Sequence, residues 1–356
     1  MSAALKVHRS MSLRDLLFHG AAFVVIIAGL KAAAPLIVLF LLAIFLVVLA
    51  MPAHMGMLRR GVPPAIALLI LVAFLAVVGG VMAHVLRLSM EDIYRKLPSY
   101  QVSLQEQVSV VTSWLTAHGV EVPNEIIRRT LSEKAPFQMV GNAITTFSKF
   151  LGRGFIVILI AAFMLMEATV LPAKLKSIPG VDDRSLDRFK QMLDNIRVYI
   201  GMKTVMSLLT GVLVGSGLFL LDVDNAVMLG ILAFLLNYIP NIGSFMAGIP
   251  GVLLAFIQFG FGHGAVVLVM YVVVNVLVSN VIEPRYMGRG LGLSPMIIVM
   301  SLMFWAWVLG PVGMLLSIPL TMVLKIAMES MPETRGYALL LGGNPEARQG
   351  DEADQG

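Results

Sequence analysis

Apolar stretches long enough to cross a lipid bilayer recur along the chain, and they constrain its fold more than any other feature. The first runs from position 16 to 51 and is interrupted only at Lys31 and Pro35. As one helix it would be roughly 54 Å long at about 1.5 Å per residue, whereas the hydrocarbon core of a bilayer is about 30 Å thick. We therefore expect two spans, 16–30 and 33–51, with Lys31 as the turn residue. Because 58% of the residues are hydrophobic and only 13% are charged, a soluble enzyme is excluded.

The same criterion predicts further membrane helices and two segments of a different kind. Straight spans are expected at 64–86, 154–171, 199–221 and 264–282. The apolar segments 226–258 and 295–325 are too long for one span, and Pro and Gly residues interrupt both. The predicted fold is an all-α polytopic membrane protein with about six full spans and two broken or re-entrant helical hairpins, which makes about eight membrane elements.

Charge patterning predicts the domains and their sides of the membrane. Residues 1–86 form the N-terminal spans, and 87–153, with many charged residues, form a small helical domain outside the cytoplasm. Residues 154–325 form the transport core, and the acidic tail 326–356 is expected to be cytoplasmic and disordered. Because Lys and Arg concentrate in alternate short loops, we expect an inner-membrane protein with both termini in the cytoplasm. This rule holds whether each broken segment is a hairpin or a pair of short full spans.

The two broken segments resemble each other. The first contains PNIGSFMAGIP, from Pro240 to Pro250, and the second contains PVGMLLSIP, from Pro311 to Pro319. On the predicted topology they enter the membrane from opposite faces. Broken helices of this kind leave backbone groups and helix ends near the midplane, where transporters bind their solutes. The alternative is that Pro and Gly only kink packed helices, since both are common in membrane helices.

Polar residues in these segments are the candidate contacts for a solute or ion. Asn side chains both donate and accept hydrogen bonds, although they also join helices to one another. Asn275 and Asn280 would lie about 140° apart around an α-helix. Glu283 and Arg285 end a span, where they either serve transport or form an ion pair at the interface. The predicted site residues are Asn237, Pro240, Asn241, Gly243, Asn275, Asn280, Glu283, Arg285, Pro311 and Gly313.

Other residues in the spans have simpler interpretations. Lys203 is expected to extend its ammonium group to the cytoplasm, and Glu167 is interpreted as an interfacial anchor. Trp305 and Trp307 are expected to pack near the tip of the second hairpin.

Several chemistries are not indicated by the sequence. The chain has no cysteine, and His54, His84 and His263 are scattered, so we expect no metal site and no cofactor. There is no phosphate-binding loop for ATP. The net charge of +5 is attributed to cytoplasmic loops of a membrane protein and not to binding of nucleic acid.

The C-terminal half resembles the autoinducer-2 exporter family of bacterial permeases. The residues that carry the resemblance are GILAFLLNYIPNIGSFMAGIPGVLLAF at 230–256, VNVLVSNVIEPRYMGRGLGLSP at 274–295 and SLMFWAWVLGPVGMLLSIPLTMVLK at 301–325. The set Asn275, Asn280, Glu283, Pro284 and Arg285 is similar to the branch named for autoinducer-2 transport, whereas many relatives carry Gln in place of Asn275. The resemblance implies eight or so membrane elements, no catalytic chemistry and homo-oligomers.

The function expected from the residues and the resemblance is secondary transport. The chain is expected to export a small polar solute such as autoinducer-2, driven by an ion gradient. Family members are also described as Na⁺/H⁺ antiporters, so that activity and a passive channel or facilitator are alternatives. A third alternative is a scaffold in which 87–150 binds a partner in the cell envelope. The solute, direction, coupling ion and subunit number are left open by the sequence.

Overall fold

The computed structural model describes residues 13–119, 154–168, 183–240, 242–287 and 293–330, with isolated positions between 170 and 177 and between 334 and 342. The first part contains three helices in succession and a fourth after the gap. They are α1 (Leu13–Ala32), α2 (Ala34–Arg59), α3 (Pro64–Ala117) and α4 (Gly154–Ala168). The break between α1 and α2 lies at Ala33, two residues after the predicted turn at Lys31.

The second part contains the two broken segments, each preceded by a long helix. The elements are α5 (Asp183–Leu220), α6 (Ala226–Leu236), α7 (Ile242–Phe259), α8 (Phe261–Asn275), a π-helical segment (Val276–Ile282), α9 (Glu283–Met287), α10 (Pro295–Leu309), α11 (Pro311–Leu315) and α12 (Ser317–Ser330). Over the described residues the regular structure is helical and contains no strand. The predicted all-α class is confirmed.

The helices have the length and composition of membrane spans. Among the described residues five helices are long and apolar enough to cross a bilayer: Ala34–Arg59, Pro64–Ala117, Leu193–Leu220, Ile242–Phe259 and Phe261–Tyr286. Many of their large apolar side chains are exposed, as in Phe74, Phe219 and Leu220. A surface of this kind is stable when lipid covers it. The chain is therefore a multi-pass membrane protein.

Several element boundaries differ from the predictions. Helix α2 continues past 51 to Arg59. Helix α3 continues without a break past position 86 to Ala117, so the charged residues after the span extend the same helix. Helix α5 begins at Asp183 and not at 199, inside the charged stretch. Glu283 to Met287 are helical, whereas a polar loop was expected from 283. In each case polar sequence continues a helix outside its apolar part, which apolar content alone does not reveal. Residues 120–153 and most of the tail lie outside the described residues, so the predictions for them are not tested. The predicted domain boundary at 87 is not tested either.

Just after each break, a buried glycine packs against the preceding helix. A Cβ atom added to Gly243 would overlap the carbonyl oxygen of Leu236, at the end of α6. A Cβ atom added to Gly313 would overlap the carbonyl oxygen of Trp305, in α10. In each segment the backbone that follows the proline therefore contacts the backbone of the preceding helix. The two are so close that a residue with a side chain does not fit at the glycine position. The sequence resemblance between the two segments thus corresponds to a shared backbone geometry.

A long helix precedes each broken segment, and we group each helix with the segment that follows it as one unit. The first unit, residues 193–259, has the apolar part of α5 followed by α6 and α7; the second unit, residues 261–330, has α8 to α9 followed by α10 to α12. Close backbone contact joins α5 to α6, because Gly211 and Gly215 face Gly230 across the interface. This contact positions the end of α6, and therefore the first break, beside α5.

Candidate functional site

One face of α5 carries buried polar side chains in an otherwise apolar span. Lys203, Ser207 and Thr210 are spaced four and three residues apart and therefore share a face; we call them the polar stripe. Their exposed fractions are 6%, 0% and 4%. Farther along the same face the buried residues are Val214 and Leu218. The predicted site residues do not include this stripe, although its spacing within an apolar helix is a recognisable sequence signal.

The first break meets the polar stripe through Asn237. Its Nδ2 donates to Ser207 Oγ at 3.1 Å, and its Oδ1 accepts from Ser244 Oγ at 3.3 Å. Next to it, Tyr238 donates its hydroxyl to Thr204 Oγ1 at 2.8 Å. Asn237 is 2% exposed, so its amide joins the end of α6, the start of α7 and the middle of α5. The structure thus places this predicted site residue at the centre of a buried polar cluster.

The second group at the stripe is Glu283. Lys203 Nζ donates to Glu283 Oε1 at 2.8 Å and to Oε2 at 3.1 Å. The two side chains are 7% and 15% exposed. The expectation that Lys203 extends to the cytoplasm is therefore wrong: its ammonium group is directed to a carboxylate that lies 80 residues away in sequence. A buried ammonium group needs a close counter-ion, and Glu283 supplies it.

Glu283 sits directly after the π-helical segment. Its backbone N–H donates to the carbonyl of Val278, five residues earlier. Pro284 follows and has no N–H to continue the hydrogen-bond ladder. Because π-helical turns within α-helices are frequent at functional sites, this junction is a notable place for a buried carboxylate.

The remaining predicted residues of this region lie outside the buried cluster. Asn275 Oδ1 accepts from Ser279 Oγ at 3.1 Å within its own helix, and Asn280 and Arg285 are exposed. The angle of 140° assumed for Asn275 and Asn280 does not apply, because residues 276–282 are π-helical and not α-helical. Among these residues the structure therefore joins only Glu283 to the stripe.

The two breaks have different neighbours. The first lies against α5, with Gly243 buried and Pro240 half-buried; Asn241 lies outside the described residues. Around the second break Gly313 is buried and Pro311 is exposed. Val312 and Leu316 from that region pack with Leu42, Ala43, Val157 and Ala161 of α2 and α4. The described contacts thus place the two breaks in different surroundings and do not join them to each other.

Trp305 packs within the second segment as predicted, whereas Trp307 is 56% exposed and contacts α1. Trp305 Nε1 donates to Thr321 Oγ1 at 3.1 Å and ties α10 to α12. Lys31 Nζ lies 4.3 Å from the ring centroid of Trp307, a cation–π contact that joins the end of α1 to α10.

A second polar network joins the charged extension of α3 to the loop between α5 and α6. Asp224 Oδ1 accepts from Lys96 Nζ at 2.7 Å and its Oδ2 accepts from the Tyr100 hydroxyl at 2.7 Å. Its backbone N–H donates to Gln258 Oε1 at 3.1 Å. The hydrogen bond to Asp224 raises the pKa of Lys96, and burial together with Asp224 raises the pKa of Tyr100. Both shifts favour the protonated side chains that the network uses.

Broken helices and buried polar side chains in a multi-pass helical protein are features of membrane transport proteins. The family model described as "AI-2E family transporter" matches residues 21–333. The chain belongs to this family.

Curated relatives match the chain over nearly its full length. It is 36% identical to a putative transport protein of Haemophilus influenzae over 94% of this chain and 98% of that protein. It is 35% identical to the AI-2 transport protein TqsA of Escherichia coli K12 over 89% and 92%, and 34% identical to the putative transport protein YhhT of the same strain over 92% and 94%. The family resemblance inferred from the three C-terminal motifs is confirmed.

Proposed function

We propose that this protein is a secondary transporter that exports a small polar solute and has no enzymatic activity. The observation that carries the proposal is the buried cluster in which Asn237 of the first break meets Ser207 and Ser244. Polar groups inside a membrane protein are costly, and they characteristically mark substrate pathways. Here they lie where a helix is interrupted, which is the usual place of a transporter's solute site.

The chemistry of the cluster favours a neutral solute with several hydroxyl or carbonyl groups. Its amide and hydroxyl groups both donate and accept hydrogen bonds, and the one ion pair beside it has no net charge. Autoinducer-2, named in the relative TqsA, is the first solute to test. The driving force we propose is an ion gradient. The alternative activities are Na⁺/H⁺ antiport and passive facilitated diffusion.

The test is solute flux into proteoliposomes that contain the purified protein. Autoinducer-2 and a panel of small polyols are supplied with a proton gradient, with a sodium gradient, or with neither. Asn237→Ala is expected to lower the initial rate at least tenfold, because it removes both hydrogen bonds of the amide. Asn280→Ala is the matched control, since it changes the same residue type at an exposed position. Both variants must elute from size exclusion as the unmodified protein does.

Each alternative has its own signature in the same assay. Accumulation of a solute above its outside concentration under an ion gradient supports secondary transport. Flux that stops at equal concentrations supports a facilitator, and sodium-dependent proton movement without a solute supports an antiporter. Equal rates for Asn237→Ala and Asn280→Ala would remove the proposed site.

The proposed orientation is an inner-membrane protein with both termini in the cytoplasm and 87–153 outside it. Reporter fusions after positions 60, 119, 180 and 330 test it, and activity of a cytoplasmic reporter at 119 would contradict it. The homo-oligomer implied by the family is tested by light scattering of the purified protein in detergent.

A further inference from the structure

The ion pair between Lys203 and Glu283 connects the two units. Lys203 belongs to α5 of the first unit and Glu283 begins α9 of the second. A second contact between the same units lies at Gly217, where an added Cβ atom would overlap the sulfur of Met270 in α8. Since one contact pairs 203 with 283 and the other pairs 217 with 270, α5 and α8 run antiparallel. The two contacts lie roughly 20 Å apart along α5.

Lys203 lies inside the membrane part of α5. The apolar part of this helix, Leu193–Leu220, has 28 residues and is roughly 42 Å long at about 1.5 Å per residue. Centred on a hydrocarbon core of about 30 Å, it places Lys203 about 10 Å inside the boundary of that core. Ser207 and the amide of Asn237 lie one helical turn deeper. The Lys203–Glu283 ion pair therefore lies at the end of the polar stripe that is nearer to residue 193.

Stability alone does not account for such a pair. Burying two charges costs about as much as their attraction returns, and apolar residues of similar volume are often as stable or more stable. A buried ion pair in a membrane protein is more often part of a pathway. Glu283 also lies where the helix can change conformation. The π-helical segment before it and Pro284 after it interrupt the regular α-helical hydrogen bonds of the backbone.

We propose that Lys203 and Glu283 form a gate that seals the polar stripe from water at this end and opens when the two units separate there. In the proposed orientation the gate faces the cytoplasm. The role of this gate in transport rests on the proposed function, but the experiment that tests the gate requires no solute. Lys203 is then a gating residue of the pathway and not an interfacial lysine.

Cysteine labelling tests the gate directly, because the chain has no cysteine of its own. The probe is a membrane-impermeant maleimide applied to inverted membrane vesicles, and the reporter is Ser207→Cys. With the native ion pair the thiol is expected to react slowly. Lys203→Met or Glu283→Gln is expected to raise its labelling rate at least tenfold. The charge-reversed double variant, Lys203→Glu with Glu283→Lys, is expected to restore protection.

A second reporter separates an opened gate from a loosened protein. Val214→Cys lies on the same buried face of α5, beyond the polar stripe. If the ion pair is a gate, its removal increases labelling at position 207 and leaves position 214 protected. If its removal loosens the whole protein, labelling increases at both positions, and that result would overturn the proposal. Unchanged labelling at 207 in both single variants would also overturn it.

A conservative variant keeps the test decisive if the single variants fail to fold. Glu283→Asp keeps both charges and lengthens the gap by about one carbon–carbon bond, so intermediate labelling at 207 is expected. Labelling no faster than with native Glu283 would contradict the gate. If the labelling results agree with the gate but no solute moves in proteoliposomes, the proposed function fails and the gate stands.

Discussion

Alanine at Gly243 or Gly313 tests the backbone geometry that the two broken segments share. At Gly243 the new methyl carbon would lie 2.7 Å from the carbonyl carbon of Leu236, and at Gly313 it would lie 2.6 Å from that of Trp305. Carbon atoms in contact are normally about 3.5–4.0 Å apart, and the carbonyl oxygen lies closer still, so each break would have to open by more than about 1 Å. Because the neighbour is backbone in both cases, no side-chain rotation relieves the overlap.

The expected cost follows from overpacking and helix propensity. Overpacking costs about 1–3 kcal/mol, and a backbone neighbour places these sites near the upper end. Replacing glycine by alanine in a helix returns up to about 1 kcal/mol. We therefore expect each variant to lose about 2 kcal/mol of unfolding free energy. That loss corresponds to a roughly 30-fold smaller folding equilibrium constant.

Gly248→Ala is the control for this prediction. Its added methyl would lie 3.5 Å from the ring of Tyr271, which is ordinary van der Waals contact, in the same helix as Gly243. The measurement is the thermal midpoint of each purified variant in detergent, followed by size exclusion, with solute flux measured on the folded fraction. The midpoints of the Gly243 and Gly313 variants should fall by several degrees, and that of the Gly248 variant should not. Equal midpoints for all three would refute the claim that the backbone makes a close return at the breaks.

Three further predictions concern the networks outside the polar stripe. Asp224→Asn should lower the thermal midpoint, because it removes the charge that accepts from Lys96 and Tyr100; an unchanged midpoint would mean that the network does not fasten α3 to the core. Because the folded-state pKa values of Lys96 and Tyr100 are raised, this stabilisation should be complete below about pH 10 and decline as the pH rises further. The midpoint difference between Asp224→Asn and the unmodified protein, measured from pH 7 to 11, should therefore shrink only at the alkaline end. Trp305→Phe should cost about 1 kcal/mol by removing the hydrogen bond to Thr321, and a denaturant titration that finds no loss would show that this bond contributes nothing net.

Local sequence patterns are sufficient for the helices and only in part for their interruptions. An apolar run must become a helix in lipid, because only a helix satisfies its backbone groups within one segment. Proline cannot continue the hydrogen-bond ladder, which accounts for the breaks near Pro240 and Pro311. Pro52, Pro98 and Pro250 nevertheless lie inside continuous helices, so proline by itself does not decide where a helix is interrupted. The resemblance between the two broken segments and the motifs that identify the family were visible in the sequence itself.

The polar ends of the helices could not be predicted from these local patterns. The extension of α3 to Ala117 and the start of α5 at Asp183 carry charged residues that are equally common in loops. Such residues become helical here as direct continuations of apolar helices. Apolar content marks the part of a helix that lies in lipid and says little about where the helix itself ends.

The partners of the polar residues were decided by tertiary structure. The sequence alone determined that Lys203, Asn237 and Glu283 lie in or at the ends of membrane segments, because apolar runs surround them. Only the packing of α5 against α6 and α8 decided that Lys203 faces Glu283 and that Asn237 faces Ser207. Contacts between residues 80 and 30 positions apart depend on which helix faces meet, and the close approach of whole helices sets those faces. No local spacing encodes that choice.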